Sequence, residues 1–97
     1  MIRVRFQTQT NKHFDLFQKD LEFAISQSVA AAVTMRTWAG RTLHTIAPAA
    51  KGFITFDSGT VQAEVSIYFP ALHMRRLIEN ETRNILAAAS GNLVITQ

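Results

Sequence analysis

Apolar residues recur every three or four positions along the stretch 11–46, the longest such pattern in the chain. The stripe comprises Phe14, Phe17, Leu21, Ile25, Val29, Ala32, Met35, Ala39, Leu43 and Ile46. Because this spacing places all of them on one face of a helix, it predicts a long helix over 11–46. The helix is either one piece or broken near Thr34 or Gly40, where a β-branched residue and a glycine lower helix propensity. Ala47-Pro48 is expected to end it.

Apolar and polar residues alternate in other parts of the chain, which predicts strands. Residues 2–8 form one such segment, and residues 93–96 form a shorter one near the end. Two further alternating segments lie within 52–69 and are joined by Ser58-Gly59, a link typical of a tight hairpin turn.

A second helix is predicted after Pro70, a residue that suits the first turn of a helix, and it is expected to end near Gly91. No internal repeat or linker divides the sequence, so we expect a single domain over 1–97. The predicted fold class is α+β, with an antiparallel sheet packed against one long and one shorter helix. The sheet contains the N-terminal strand, the central hairpin and the short last strand.

Composition places limits on this domain. The chain has 97 residues, of which 47% are hydrophobic and 18% are charged, as in ordinary globular proteins. It has no cysteine, which excludes disulfides, thiol nucleophiles and cysteine-ligated zinc. Its apolar runs are too short to cross a bilayer, and alternating residues follow directly after Met1. We therefore expect neither a membrane partner nor a secretory signal.

Sequence motifs give no indication of catalysis. His13, His44 and His73 are too far apart to match a metal-binding motif. The sequence has no G-x-S-x-G elbow and no glycine-rich phosphate loop. We therefore expect no enzyme activity, no metal and no cofactor.

The net charge of +3 comes from ten basic residues that are spread along the chain. Arg75, Arg76 and Arg83 lie on the predicted second helix and are candidate contacts to nucleic acid or to an acidic partner. A small nucleic-acid-binding module is thus one alternative function. An inhibitor or antitoxin-like protein that binds another protein is a second.

The predicted long helix carries more apolar surface than the short strands and one further helix would cover, so we expect a homo-oligomer. The predicted subunit interface comprises Ala31, Met35, Arg36, Trp38, Ala39, Arg41 and Leu43. Trp38 between Arg36 and Arg41 has the composition of an interface hot spot. The other interpretation is that Trp38 fills the domain's own core, and the sequence favours neither.

One family resemblance rests on Ala47-Pro48 and Gly52, the strand residues Ile54 and Phe56, and Tyr68 at the end of the next strand. Over roughly residues 24–70 the chain resembles the small tail-completion and minor tail proteins of long-tailed bacteriophages. The resemblance implies a virion component, assembled in the host cytoplasm, that forms an oligomeric ring at the head–tail connector or in the tail. Its partners would be copies of itself and other structural proteins. Outside a virion, we expect a cytoplasmic protein.

Overall fold

The computed structural model describes residues 1–28 and 34–97 of the chain. The elements are β1 (Ile2–Gln9), α1 (Phe14–Ser26), β2 (Met35–Ala39), β3 (Thr42–Ile46), β4 (Ala50–Asp57), β5 (Thr60–Ile67), a 3₁₀ segment (Phe69–Met74), α2 (Arg75–Ser90) and β6 (Ile95–Thr96). Within the described residues the six strands form one antiparallel sheet in the order β2-β3-β4-β5-β1-β6. The predicted α+β class is confirmed.

The core lies between the two helices and one face of the sheet, which we call the inner face. Its strand residues alternate along β1, β3, β4 and β5, as the pleat requires: Val4, Phe6, Leu43, Ile54, Phe56, Val61, Ala63 and Ile67. From α1, Phe17 and Leu21 pack onto this face, and the Phe17 and Phe56 rings lie 5.3 Å apart. Leu86 and Ala89 of α2 complete the same cluster.

The prediction of one helix over 11–46 is wrong in its second half. The helix α1 ends at Ser26, and residues 35–46 form a hairpin of β2 and β3. The hairpin turns at Gly40-Arg41, where Gly40 has a φ of 61°. A glycine with positive φ at the first position of a two-residue loop is the pattern of a type II′ turn, which suits the twist of paired strands. The part of the predicted helix in 29–33 lies outside the described residues.

Four threonines and a tryptophan explain why this segment pairs as strands. Thr34, Thr37, Thr42, Thr45 and Trp38 all have side chains that pack well on a pleated sheet. The segment Ala47-Pro48 therefore follows a strand and not a helix. There the chain turns from β3 into β4, and the Ala47 amide donates to the Ala50 carbonyl at 2.8 Å.

The second hairpin agrees with the sequence prediction. Ser58 and Gly59 have φ values of 50° and 87°, and two successive positive values are characteristic of a type I′ turn. Ser66 is the exception to the alternation in β5, because it lies on the face opposite the core and is nevertheless buried. In the sheet Ser66 stands between Arg3 and Lys51, two long side chains on neighbouring strands.

The second helix is also close to its prediction. The alternating segment predicted to run to residue 69 ends as a strand at Ile67, and Phe69 begins the 3₁₀ segment and is exposed. The helix α2 starts at Arg75 and ends with Gly91 in the left-handed conformation, which glycine adopts without strain. The last strand is shorter than the predicted 93–96.

Candidate protein interface

The residues predicted as a subunit interface gather on the hairpin of β2 and β3 at one edge of the sheet, and not on a helix. Met35, Arg36, Trp38 and Ala39 lie on β2, Arg41 in the turn and Leu43 on β3. Ala31 lies outside the described residues. Leu43 is 0% exposed and belongs to the chain's own core, so including it in the interface was wrong. The other five remain at or near the sheet edge.

Three side chains fasten this edge to α1, and we call Glu22, Arg36 and Trp38 the clamp. The Trp38 Nε1 donates to Glu22 Oε1 at 2.9 Å, and Arg36 Nε lies 3.1 Å from Glu22 Oε2. The Trp38 ring also meets Phe14 edge-on, with centroids 5.7 Å apart. The carboxylate of Glu22 thus holds two side chains of β2 over the helix. Trp38 is only partly buried and is bound within its own subunit.

Sequence reasoning missed Glu22. A glutamate on the polar side of a helix is ordinarily solvated, and nothing near it in sequence signals a partner. Its role becomes visible only once residues 35–39 are known to form a strand, because then Arg36 and Trp38 share a face. The available signal was the period-two pattern of residues 35–39, but the apolar residues of this stretch also fit a helical spacing of three to four.

The opposite face of β2 carries exposed apolar side chains. Met35 is 74% exposed and pairs in register with Ile46, which is 59% exposed. Phe53, 37% exposed, lies diagonally next to Ile46 on β4. We call Met35, Ile46 and Phe53 the corner patch. Neither α1 nor α2 covers this outer face of the sheet, because both pack on the inner face.

Most of the remaining outer face is polar, apart from the exposed Ile95 on β6 at the opposite edge of the sheet. Arg3, Arg5 and Lys51 supply positive charge, and Arg5 Nε lies 3.0 Å from Glu64 Oε1 on the neighbouring strand. The Arg5 side chain is two-thirds exposed, so this pair contributes little to stability. The outer face therefore combines an apolar corner with a weakly basic surround.

The three arginines proposed as nucleic-acid contacts lie on α2, as predicted. Arg75 Nε pairs with Glu79 Oε1 at 2.7 Å, and Arg83 donates to the Thr96 hydroxyl on β6. Arg76 is exposed. Glu79 thus offsets the charge of Arg75, whereas Arg76 and the hydrogen-bonded Arg83 keep their charge.

Two cavities differ in chemical character. One, of about 600 Å³, is a polar cleft at the start of α1 that brings together Lys12, His13, Asp15 and Arg41. The other, of about 450 Å³, is mainly apolar and lies between the helices and β4–β5, next to Val65 and Ile78. Of the predicted interface and contact residues within 1–28 and 34–97, only Arg41 lines either cavity. Over the described ranges, no three or more His, Asp or Glu side chains are grouped to hold a metal ion.

Comparison with known proteins does not identify a family for this chain. No protein-family model, no curated protein and no solved structure matches this chain. In residues 1–28 and 34–97, neither helix has the length and apolar character that crossing a membrane requires. The corner patch and the clamped edge strand are thus the features from which function is argued.

Proposed function

We propose that this chain is a non-enzymatic structural subunit that assembles with copies of itself and with other proteins. The observation that supports this most is the corner patch on the uncovered outer face. Antiparallel sheets with one solvated face normally alternate between apolar residues inside and polar residues outside. Met35, Ile46 and Phe53 break that rule at three neighbouring positions. Contiguous exposed apolar side chains with a polar surround are typical of protein-binding surfaces.

The finer part of the proposal is that the assembly is a bacteriophage virion, at the head–tail connector or in the tail. It rests on the resemblance at Gly52, Ile54, Phe56 and Tyr68, which lie in and just after the β4–β5 hairpin. The helix expected before Ala47-Pro48 is a strand, so that element of the resemblance does not contribute. The ring arrangement and the virion location both remain predictions.

The mass of the purified protein in solution tests the general proposal. Light scattering after size exclusion, repeated over a wide range of concentration, is expected to give a mass above that of the monomer. Ile46→Glu should lower that mass without changing the circular dichroism spectrum, because it places a charge in the corner patch. Gln9→Glu is the matched control, since Gln9 is exposed on the same face of the sheet but lies on β1, two strands away from β4.

A monomeric mass at every concentration would refute self-assembly. Duplex DNA and single-stranded RNA titrated into the same sample test the alternative function. Tight binding that weakens steeply with salt and is lost in Arg76→Ala would favour a nucleic-acid-binding module instead.

A further inference from the structure

The two edges of the sheet are unequal. At one edge, β6 has only two residues, and the part of β1 that it leaves uncovered carries Arg3 and Arg5. Short strands and charges are the usual protection against pairing with another chain. At the other edge, β2 has five residues with no proline, lysine or break in register. Over 1–28 and 34–97, β3 is the only strand paired with β2.

The side chains of β2 do not protect this edge either. On the outer face Met35, Thr37 and Ala39 are uncharged and exposed. On the inner face the one charge belongs to Arg36, and Glu22 neutralises it at 3.1 Å. The edge strand is thus fastened to α1 by the clamp and presents little electrostatic repulsion to a second strand.

The hairpin geometry determines which backbone groups point away from the sheet. Ala39 and Thr42 flank a two-residue turn, so they form a hydrogen-bonded pair. Hydrogen-bonded and non-hydrogen-bonded pairs alternate along an antiparallel ladder. The backbone N–H and C=O of Thr37 therefore also bond to β3. The N–H and C=O groups of Arg36 and Trp38 consequently point outward from the sheet edge.

We propose that β2 pairs antiparallel with β2 of a second copy, with Thr37 opposite the partner's Thr37 on a two-fold axis. This pairing rests on the proposed function, and it specifies how two subunits meet. In this register the outward groups of Arg36 face those of the partner's Trp38, and all five residues of each strand overlap. Pairing Arg36 with the partner's Arg36, or Trp38 with the partner's Trp38, overlaps fewer residues.

The side chains are complementary in the same register. On the inner face Arg36 stands opposite the partner's Trp38, and the two-fold axis repeats this contact. A guanidinium beside an indole ring is a favourable cross-strand pair. On the outer face Met35, the most exposed residue of the corner patch, stands opposite the partner's Ala39. The same surface thus serves both subunits, so this β2 interface joins two copies and does not by itself propagate as a fibre.

Single cysteines test this register directly, because the natural sequence has none. In the proposed dimer the two copies of Thr37 form a non-hydrogen-bonded pair with Cα atoms about 4.5 Å apart, within the range a disulfide spans. Thr37→Cys is therefore expected to convert almost completely to a covalent dimer under mild oxidation. His44→Cys is the matched control, because His44 pairs with Thr37 on the same exposed face but one strand inward. This variant should form only the small amount of disulfide-linked dimer that random collision in solution produces.

Charge at the same positions gives an independent measurement. Thr37→Lys would place like charges opposite each other across the axis and should weaken the dimer by about tenfold or more in Kd. His44→Lys should change Kd little, and circular dichroism of both variants verifies the fold. A wild-type oligomer that neither links through Thr37→Cys nor weakens in Thr37→Lys would overturn the β2 pairing and leave the proposed function standing. A wild-type protein that stays monomeric would overturn both.

Discussion

The clamp makes a quantitative prediction about what holds the edge strand to the helix. The Trp38–Glu22 hydrogen bond is 2.9 Å long and has a charged acceptor, a class worth about 1.5–3 kcal/mol. The Glu22 side chain is 35% exposed, so solvent screening lowers the contribution of this hydrogen bond to about 1–2 kcal/mol. The Arg36–Glu22 pair is similarly exposed and should add only about 0.5–1 kcal/mol.

Three variants separate these contributions by their effect on the free energy of unfolding. Glu22→Gln keeps an oxygen for the indole N–H but loses the ion pair, so it should cost about 0.5–1 kcal/mol. Glu22→Ala loses both contacts and should cost about 2–3 kcal/mol. Trp38→Phe keeps a ring against Phe14 but loses the N–H donor, and should cost about 1–2 kcal/mol.

Urea denaturation of the single variants and of the Glu22→Ala/Trp38→Phe double variant completes a double-mutant cycle. The coupling energy is expected to be about 1 kcal/mol, because either single change already removes the Trp38–Glu22 hydrogen bond and the double variant loses it only once. Glu79→Ala is the control, because the Glu79–Arg75 pair on α2 is an exposed i,i+4 pair worth about 0.3–0.5 kcal/mol. Strictly additive effects, or a Glu22→Gln variant as unstable as Glu22→Ala, would refute this account of the clamp.

Two further predictions concern the sheet and the core, and thermal and urea unfolding measure both. A Cβ at Gly52 would lie 2.4 Å from the Glu64 carbonyl oxygen, so Gly52→Ala should cost about 1–3 kcal/mol. Gly91→Asn, at a left-handed helix cap with open space around it, should cost less than about 1 kcal/mol, and equal losses at both glycines would contradict the close approach. Phe17→Ala should cost about 3–5 kcal/mol because the ring is fully buried, whereas Phe23→Ala on the exposed side of α1 should change stability by less than about 0.5 kcal/mol. A silent Phe17→Ala would mean that α1 does not pack on the sheet as described.

The sequence predicted the β4–β5 hairpin well because two independent signals coincide there. Strict alternation defines which residues face the core, and Ser58-Gly59 supplies the backbone angles of a tight turn. Neither signal depends on distant parts of the chain. The same holds for the end of α2, where Gly91 acts locally as a helix cap.

The stretch 35–46 shows why local patterns are sometimes insufficient. Met35, Ala39, Leu43 and Ile46 match a helical spacing, yet in the hairpin only Leu43 is buried. An apolar residue at every third or fourth position is compatible with both structures when, as here, three of the four residues are exposed. Tertiary contacts decide between them: Leu43 pairs with the core residue Ile54, and Trp38 reaches Glu22 on α1. Both contacts join segments that are separate in sequence.

The position of β1 within the sheet has a consequence for the order in which the chain folds. Strands β2 to β5 are neighbours in sequence and in space, so they can pair as soon as each hairpin closes. Strand β1 precedes the other described strands in the chain but pairs with β5 and β6, which follow β2, β3 and β4. Until those strands exist, Val4 and Phe6 have no neighbour on either side. Of the described strands, β1 is therefore the one synthesised furthest ahead of its native neighbours, and the unpaired β1 is the segment that a nascent chain must keep from associating elsewhere.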